Sequence, residues 1–458
     1  MIDLNTIKRA YFIGIGGIGM SALARYFLSK GKKVSGYDRT QTALTLQMEN
    51  EGIPIHYTDD PGLAPKDADL VIYTPAIPAN HLELNWYRGQ DYPVLKRSEA
   101  LEVITQNAFN ICIAGTHGKT TTSAMTAHIL RHSGYGCNAF LGGIAVNYDS
   151  NFWSADNAVC VIEADEYDRS FLRLNPDIAV ITAMDADHLD IYGTERAMQD
   201  SFIEFSGKIK PGGVLFVKAG LSRSDEFKAP EKITYHFSDA AADIYAKDLK
   251  IVNGHYQFDA VVKGELIKDL TLNMGGMHNV ENALASMGIA RHLKIDAGLI
   301  RRAVADFKGV KRRFEYIIKT GALAYIDDYA HHPEELNALI GSAKELFGDM
   351  HCTVIFQPHL YSRTKDLAAQ FAESLDKADE VILLPIYPAR ELPVEGVNSE
   401  MIVSKMKNKQ SRVLDKDKLL EYLGRPFSQP GKGRLIITAG AGDIDRLREP
   451  IKTVLSAK

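Results

Sequence analysis

Short apolar runs alternate with helical patterns along most of this 458-residue chain. Near the N-terminus the runs AYFIGIG (10–16), KVSGYD (33–38) and DLVIYTP (69–75) are separated by such patterns, and a helix is predicted from Met20 to Ser29. Strands that alternate with helices form βαβ units, which build parallel sheets covered by helices. The chain is therefore predicted to be an α/β protein.

The same alternation continues beyond a helix that we predict to start at Ser98 as its N-cap. A change of pattern between 233 and 273, with turns at Asn253-Gly254 and Lys263-Gly264, predicts antiparallel hairpins. Helices are predicted at 118–133 and 275–293. The other predicted strands are FNICIAG (109–115), AVCVIEA (158–164), DIAVITAM (177–184), LAYIDDY (323–329), CTVIFQP (352–358), EVILLPIY (380–387) and RLIITAG (434–440).

Charge and cysteine content exclude several classes of protein. With 53 basic and 58 acidic residues the net charge is −5, which does not suit a nucleic-acid binder. The four cysteines contain no CxxC pair, so we expect buried thiols in a reducing compartment. The start MIDLNTIKRAYF is unlike a signal peptide, and no apolar run is long enough to span a membrane. These features predict a cytoplasmic protein without membrane insertion.

The first glycine-rich turn, Gly14-Ile15-Gly16-Gly17-Ile18-Gly19, follows a predicted strand and precedes a predicted helix. It fits GxGxxG, with Asp38 at the distance where dinucleotide-binding proteins carry an acidic residue. Such a turn brings backbone N–H groups and a helix N-terminus to a phosphate. The turn fits NAD, the pyrophosphate of a nucleotide-linked substrate, or a tight connection without a ligand.

The second turn, 114–122, reads AGTHGKTTT and resembles a P-loop, although Ile113 replaces the usual first glycine. Its backbone can surround phosphate oxygens, Lys119 can reach the β- and γ-phosphates, and the Thr120 hydroxyl can hold Mg²⁺. The strand before the turn and the helix after it favour an ATP site.

The length suggests about three domains, at roughly 150 residues per domain. We place the boundaries near 106 and 312. The predicted domains are a Rossmann-like domain at 1–106, a P-loop-type ATPase domain at 107–312 and a Rossmann-like α/β domain at 313–458. The central domain is expected to combine a parallel sheet with a small antiparallel one.

At this point the whole chain resembles the Mur ligase family, the ATP-dependent amide-forming ligases of peptidoglycan synthesis. Each motif is modest alone, but all follow one another in the family's order. They are GIGGIGMS (14–21), GTHGKTTT (115–122), EADEYDRSF (163–171), DADHLDIY (185–192), HNVENALA (278–285), GVKRRFE (309–315), DDYAHHPEE (327–335), FQPHLYSRT (356–364) and YPARELP (387–393).

The resemblance implies transfer of the ATP γ-phosphoryl group to a substrate carboxylate, followed by attack of an amine. It implies ATP and Mg²⁺ as cofactors and, for the best-matching branch, UDP-N-acetylmuramate and L-alanine as substrates. Lys119, Glu163, His188 and Arg313 are the expected catalytic residues, with Thr120, Glu163 and His188 holding magnesium. The expected ATP-binding residues are Gly115, Thr116, His117, Gly118, Lys119, Thr120, Thr121, Asn282, Arg313 and Asp328.

For the nucleotide sugar, the resemblance and the strand-end positions suggest Gly16, Gly17, Ile18, Gly19, Ser21, Asp38, Thr74 and Ala76. For L-alanine the resemblance suggests Tyr329, His359 and Arg363, whose fork suits an α-carboxylate. His331 and His332 are adjacent, so we expect at most one of them in the site. The sequence departs from the common pattern at Leu360, where relatives often carry arginine. Some relatives carry a carbamylated lysine in the region that here reads SFIEF (201–205), which has no lysine, so we predict none in this chain.

Four alternatives remain. A recycling ligase would add the tripeptide L-Ala-γ-D-Glu-meso-diaminopimelate to the same nucleotide sugar. A ligase similar to folylpolyglutamate synthase would account for the P-loop at 114–122 but would give the glycine-rich turn at 14–19 no role. An NAD-dependent dehydrogenase would leave the second turn without a role, and an inactive nucleotide-binding protein would not need Lys119 and Glu163. We expect a monomer or homodimer that binds no nucleic acid.

Overall fold

The computed structural model describes residues 2–186, 189–389, 391–427 and 431–457. Its strands form three sheets of five, ten and six strands, and helices provide most of the connections. This architecture confirms the predicted three-domain α/β class. The chain folds as two compact units, of which the first comprises Met1–Lys247, Asp259–Leu270 and Glu281–Phe307, and the second comprises Asp248–Phe258, Thr271–Val280 and Lys308–Lys458.

The first sheet is parallel throughout and has the strand order β3-β2-β1-β4-β5. Strand β1 is central, and the strand order reverses beside it. Ligands of open α/β sheets bind at the carboxyl edge beside such a reversal, which is where the first glycine-rich turn lies. The elements are β1 (Arg9–Ile13), α1 (Ile18–Ser29), β2 (Lys33–Tyr37), α2 (Ala43–Asn50), β3 (Ile55–His56), β4 (Leu70–Tyr73), α3 (Leu82–Arg88), β5 (Val94–Lys96) and α4 (Arg97–Thr105).

The second sheet has the order β15-β14-β13-β12-β11-β10-β6-β9-β7-β8, with the P-loop strand β6 between β10 and β9. The elements are β6 (Phe109–Ala114), α5 (Lys119–His132), β7 (Asn138–Ala145), β8 (Ser150–Trp153), β9 (Val159–Glu163), β10 (Ile178–Ile181), α6 (Leu189–Tyr192), α7 (Glu195–Ser206), β11 (Val214–Lys218), β12 (Glu231–His236), β13 (Ile244–Val252), β14 (His255–Val262), β15 (Glu265–Leu272), α8 (Met277–His292) and α9 (Ala297–Asp306).

Two features of this sheet differ from the sequence prediction. The segment predicted as antiparallel hairpins begins with β12, which pairs in parallel with both β11 and β13. Alternating residues mark a strand without fixing its direction, so the prediction was wrong there. The two predicted turns are correct, because they join β13 to β14 and β14 to β15. The antiparallel hairpin of β7 and β8 at the sheet edge was not predicted.

The third sheet has the order β16-β17-β21-β18-β19-β20 and is parallel except for β16 at one edge. The four predicted strands are confirmed, and the two edge strands were not predicted. The elements are β16 (Glu315–Lys319), β17 (Leu323–Asp328), α10 (Pro333–Leu346), β18 (His351–Phe356), α11 (Tyr361–Leu375), β19 (Glu380–Leu383), α12 (Glu400–Val403), β20 (Ser411–Val413), α13 (Lys416–Leu423), β21 (Arg434–Ala439) and α14 (Arg448–Ser456).

Helix α4 begins earlier than its sequence suggested. Ser98 was predicted as the N-cap, but the cap is Lys96. The Glu99 carboxylate accepts a hydrogen bond from the Lys96 backbone N–H at 2.8 Å. This bond satisfies the donor at the N-cap, so the helix can begin at Arg97. The predicted boundaries at 106 and 312 lie in the connections that follow α4 and α9, and they remain predictions.

All four cysteines are free and buried, as expected. Burial raises the pKa of Cys137, Cys160 and Cys352 to about 12, so these thiols stay protonated. Across the described ranges, none of the helices combines the length and apolar character needed to cross a membrane.

Candidate active site

The first glycine-rich turn is shaped by its own backbone and by Asp38. Gly14 has φ +83°, and a Cβ there would lie 2.6 Å from Thr74 Cγ2, so the position requires glycine. The Gly16 N–H donates to Asp38 Oδ2 at 2.8 Å, and a Cβ on Gly16 would lie 2.9 Å from the same oxygen. Asp38 therefore fixes the turn from within, whatever contact it also makes with a ligand.

The remaining residues predicted for the nucleotide sugar differ in accessibility. Gly17 is the exposed N-cap of α1, and Ile18 and Gly19 in the first helical turn are half-buried. Ser21 is fully buried and donates to the Ile18 carbonyl at 2.8 Å. Beyond β4, Thr74 is half-buried and Ala76 is exposed. The glycines, Thr74 and Ala76 thus lie at the carboxyl edge, while Ser21 supports the turn from below.

Arg97 is a cation beside this turn that the sequence analysis missed. A Cβ on Gly19 would lie 3.0 Å from Arg97 Nη1, so the guanidinium covers the first turn of α1. Its other near partner is Asp165, at 3.6 Å from Nη2. A guanidinium beside a helix N-terminus suits a phosphate group.

The second turn has the geometry of a phosphate-binding loop. Gly115 has φ +131° and Gly118 has φ +83°, both in the range that favours glycine. The Thr116 N–H donates to the Ala183 carbonyl at 3.1 Å, and the Thr116 hydroxyl accepts from the Asp185 N–H at 3.2 Å. The Thr182 hydroxyl donates to the carbonyls of Ala114 and His117. The residues that follow β10 therefore fix the loop by hydrogen bonds to its backbone and to Thr116.

Lys119 forms a largely buried ion pair. Its Nζ donates to Glu166 Oε1 at 2.7 Å and to the Gly115 carbonyl at 2.6 Å. Glu166 is fully buried, and burial raises the pKa of its carboxyl group, although Lys119 opposes that shift. The ammonium is thus held at the mouth of the loop, where incoming phosphates would compete with Glu166 for it.

Thr120 at the start of α5 and Glu163 at the end of β9 supply neighbouring oxygen atoms. The Thr120 hydroxyl donates to Glu163 Oε1 at 2.8 Å, and Glu163 Oε2 accepts the Gly142 N–H at 2.8 Å. A hydroxyl and a carboxylate are hard ligands that fit Mg²⁺, which binds proteins through one or two carboxylates together with substrate phosphates. His188, the third predicted ligand, lies outside the described residues. No cluster of three or more potential ligands occurs in the parts of the chain that the structure covers.

Asn282 reaches the loop from α8. It accepts the Thr122 hydroxyl at 3.0 Å, and a Cβ on Gly118 would lie 2.8 Å from its Oδ1. His117 is exposed, while Thr121 is buried in the first turn of α5. The predicted ATP residues of the first unit are therefore gathered around one loop.

In the second unit, Asp328 ends β17 and accepts two backbone N–H groups. They come from Phe314 at 2.7 Å and Ala330 at 2.8 Å. Burial raises the pKa of Asp328, and the charge of the nearby Arg313 opposes that rise. Arg313 is exposed, with its guanidinium 5.7 Å from the centre of the Tyr329 ring. The neighbouring Arg312 is half-buried, lies 4.9 Å from that ring and donates to the Gly440 carbonyl.

The predicted L-alanine residues surround His331. Its ring centre lies 5.2 Å from that of Tyr329 and 6.2 Å from that of His359. Burial lowers the pKa of His331 and of His359, and the positive charge of Arg363 lowers both further. Arg363 Nη1 and His359 Nδ1 are inaccessible and have no hydrogen-bond partner within the described structure. The guanidinium nitrogen is a donor suited to an anionic ligand, and the imidazole lies beside it.

His332 has a different role from His331, because it is the N-cap of α10. Leu360, at the position where arginine is common, has φ +71° and precedes the first residue of α11. The structure thus assembles the predicted residues in two groups, each within its own unit.

Comparison with known families covers most of the sequence. The chain matches the Mur ligase family catalytic domain over residues 9–108, the Mur ligase middle domain over 113–290 and the Mur ligase glutamate ligase domain over 312–442. The chain therefore belongs to the Mur ligase family.

Individual relatives agree over the full length. The UDP-N-acetylmuramate–L-alanine ligase of Flavobacterium psychrophilum is 47% identical over 100% of both chains. That of Parabacteroides distasonis is 46% identical over 99% of this chain and 98% of its own. Among solved structures, the UDP-N-acetylmuramate–alanine ligase of Thermotoga maritima is 29% identical, with a TM-score of 0.82 over 98% of this chain and 100% of its own. A murein peptide ligase from Psychrobacter arcticus has a TM-score of 0.67 at 23% identity, over 98% of this chain and 99% of its own, which shows a shared fold.

Proposed function

We propose that this protein joins L-alanine to the carboxylate of UDP-N-acetylmuramate, with ATP converted to ADP and phosphate. The observation that carries the proposal is the P-loop, where the Lys119 ammonium group and the hydrogen-bonded Thr120–Glu163 pair both lie at the start of α5. The 47% identity over the full length to a UDP-N-acetylmuramate–L-alanine ligase supports the choice of substrates.

The proposed reaction has two steps. A carboxylate oxygen of the nucleotide sugar attacks the γ-phosphorus of ATP, the bond to the β-phosphate oxygen breaks, and ADP leaves. The L-alanine nitrogen then attacks the acyl carbon, phosphate leaves, and the nitrogen loses a proton as the amide forms. Both steps gather negative charge, so their rates depend on fixed positive groups and on alignment.

The residues of the first unit suit this chemistry. Lys119 would leave Glu166 to contact the β- and γ-phosphates, and the Gly115–Thr121 backbone would surround them. Thr120 and Glu163 would hold Mg²⁺, which neutralises phosphate charge when bound. The turn Gly16–Gly19 and Arg97 would bind the pyrophosphate of the nucleotide sugar.

The residues of the second unit suit the remaining ligands. We assign Arg313 to the ATP phosphates and Asp328 to the ATP ribose. Arg363 would bind the L-alanine carboxylate through its guanidinium group, whose Nη1 has no hydrogen-bond partner among the described residues, with His359 and Tyr329 lining the same site. A cytoplasmic location accompanies the proposal, since ATP is available there.

Phosphate release tests the proposal directly. The protein is incubated with ATP, Mg²⁺ and UDP-N-acetylmuramate, and L-alanine is compared with L-Ala-γ-D-Glu-meso-diaminopimelate. We expect release that depends on L-alanine, together with a product mass equal to that of the amide. Release with the tripeptide alone would replace the proposal with the recycling reaction. Release with neither amine would reject both ligase assignments.

A further inference from the structure

Helix α1, which begins in the first glycine-rich turn, is joined to the β7–β8 hairpin by a buried polar cluster. Asn151 of β8 donates through Nδ2 to the Ile18 carbonyl at 2.6 Å and to the Ser21 hydroxyl at 3.0 Å. Its Oδ1 accepts a hydrogen bond from Arg25 Nη1 at 2.5 Å. We call Ser21, Arg25 and Asn151 the α1 anchor.

The α1 anchor is well suited to fix a helix in one position. Ser21 and Asn151 are fully buried and Arg25 is 5% exposed, so each lost hydrogen bond would leave a buried polar group unsatisfied. Ser21 and Arg25 are four residues apart and therefore share one face of α1. The Arg25 guanidinium also forms a two-point ion pair with Glu51, with both N–O distances at 2.8 Å.

Aromatic side chains extend the same contact. The Tyr26 ring centre lies 5.5 Å from that of Phe140 in β7 and 6.1 Å from that of Phe152 in β8. The two phenylalanines are cross-strand partners in the hairpin. Helix α1 thus contacts β8 through the hydrogen bonds of Asn151, and it contacts both β7 and β8 through the aromatic rings.

The hairpin also contacts the pair formed by Glu163 and Thr120 of the P-loop. Gly142 in β7 donates its N–H to Glu163 Oε2 at 2.8 Å, and Glu163 Oε1 accepts the Thr120 hydroxyl at 2.8 Å. A Cβ on Gly142 would collide with the Glu163 carboxylate, so strand and carboxylate are in direct contact. One short series of contacts therefore connects the nucleotide-sugar turn with the ATP turn.

The Gly14–Gly16 part of the first turn is held by hydrogen bonds that do not involve the α1 anchor. The Gly14 and Ile15 N–H groups donate to the Tyr37 carbonyl at 2.8 and 3.0 Å, and Gly16 donates to Asp38. All of these bonds lie within the first sheet and its connections. The anchor instead determines where the finished turn stands relative to Glu163 and Thr120.

We infer that Asn151 is a positioning residue, which sets the carboxylate of the bound nucleotide sugar in line with the γ-phosphate of ATP. This inference rests on the proposed function. Misplacement by about 1 Å can lower the rate of such a reaction about 100-fold, while each ligand still binds its own turn.

The test is steady-state kinetics of Asn151→Ala with UDP-N-acetylmuramate, ATP, Mg²⁺ and L-alanine. We expect kcat to fall about 100-fold. The KM values for ATP and UDP-N-acetylmuramate should stay within about threefold, because both turns keep their local hydrogen bonds. Asn151→Asp should behave in the same way, since it retains the acceptor for Arg25 and loses the donors to Ile18 and Ser21.

Asn138→Ala is the matched control. Asn138 is a 3% exposed asparagine in the same hairpin, and the hydrogen bonds recorded for it go to residues 154–159 rather than to α1. It should lower the thermal unfolding temperature about as much as Asn151→Ala and leave kcat within about twofold of wild type.

Two outcomes would overturn the inference. One is a wild-type kcat in Asn151→Ala, even if the KM for UDP-N-acetylmuramate rises tenfold, and the other is an equal loss of kcat in Asn138→Ala. Wild-type protein measured in parallel separates the two proposals. If it forms no amide from L-alanine, the proposed function fails, whereas active wild type with an active Asn151→Ala variant contradicts the positioning role alone.

Discussion

The ammonium group of Lys119 pairs with the carboxylate of Glu166, which is fully buried. Nζ is 2.7 Å from Glu166 Oε1, and Tyr192 donates to the Glu166 carbonyl at 2.6 Å. We expect Lys119→Ala to lower kcat by at least about 1,000-fold, because a fixed positive charge at the phosphates is lost. The fold should persist, as judged by circular dichroism. Turnover near the wild-type level would contradict the P-loop assignment.

The same pair predicts a pH effect on stability. Burial raises the pKa of Glu166 above its ordinary value of 4.5, and Lys119 opposes the rise. Without Lys119 the folded protein should retain a proton that the unfolded chain releases, so stability falls as pH increases above about 4.5. The thermal unfolding temperature of Lys119→Ala should therefore fall more between pH 5 and 8 than that of wild type. Adding Glu166→Gln should remove the excess loss, and a parallel profile in all three proteins would contradict this account.

Arg363 provides a third test on single residues. Its Nη1 atom is inaccessible and lacks a hydrogen-bond partner in the described structure, so an anion would restore a bond that the protein does not supply. Arg363→Ala should raise the KM for L-alanine about 50-fold, equivalent to a charged hydrogen bond of about 2–3 kcal/mol, and leave the KM for ATP nearly unchanged. Arg363→Lys keeps the charge and loses the two-pronged guanidinium group. Its KM for L-alanine should lie between those of wild type and Arg363→Ala. Equal increases in both KM values would count against a carboxylate contact.

At the scale of elements, two glycines of the first turn should affect different properties, one the affinity for ligand and the other the stability of the fold. Gly17 has φ −64°, and a Cβ there would make only ordinary van der Waals contacts, with the nearest atom 3.5 Å away. Gly17→Ala should leave thermal unfolding unchanged but weaken UDP-N-acetylmuramate at least about tenfold in calorimetry, because a methyl group blocks the approach of the pyrophosphate. Gly14→Ala is the contrast, since its positive φ and the nearby Thr74 predict a less stable protein. Unchanged affinity in Gly17→Ala would exclude the turn as the phosphate site.

Elements with strong local patterns were predictable from the sequence. The runs that became β1, β6 and β17 are continuous and apolar, and the glycines that follow the first two mark the turns by their positive φ. The short edge strands β3, β5 and β20 bury little and lack such runs. Strand direction also depends on the partner strand, which explains the error at β12.

The site was predictable where a motif is continuous in sequence. The resemblance pointed to Glu163, yet the identity of the Lys119 partner depends on a turn in which Asp168 and Arg169 both have φ +54°. Arg97 contacts Gly19 across a long stretch of chain, and no local signal connects the two. The α1 anchor was missed for the same reason, since Asn151 lies far from Ser21 in sequence.

For the whole molecule, ligand binding should distinguish the proposed ligase from a dehydrogenase. A ligand present at 100 times its dissociation constant stabilises the folded protein by about 2.7 kcal/mol. ATP with Mg²⁺, and UDP-N-acetylmuramate separately, should raise the thermal unfolding temperature, whereas NAD should not. Glu163→Gln should lose the part of the ATP effect that requires Mg²⁺. Stabilisation by NAD comparable to that by ATP would favour the dehydrogenase alternative.

The burial of every native thiol makes the folded protein convenient for site-specific labelling. Cys112, Cys137, Cys160 and Cys352 all lie inside the protein, and a maleimide needs an accessible thiolate. A cysteine introduced at an exposed helical position, such as Glu204 in α7 or Lys365 in α11, would therefore carry a fluorophore or spin label alone. Distances between such probes could then be followed during turnover without first replacing the four native residues.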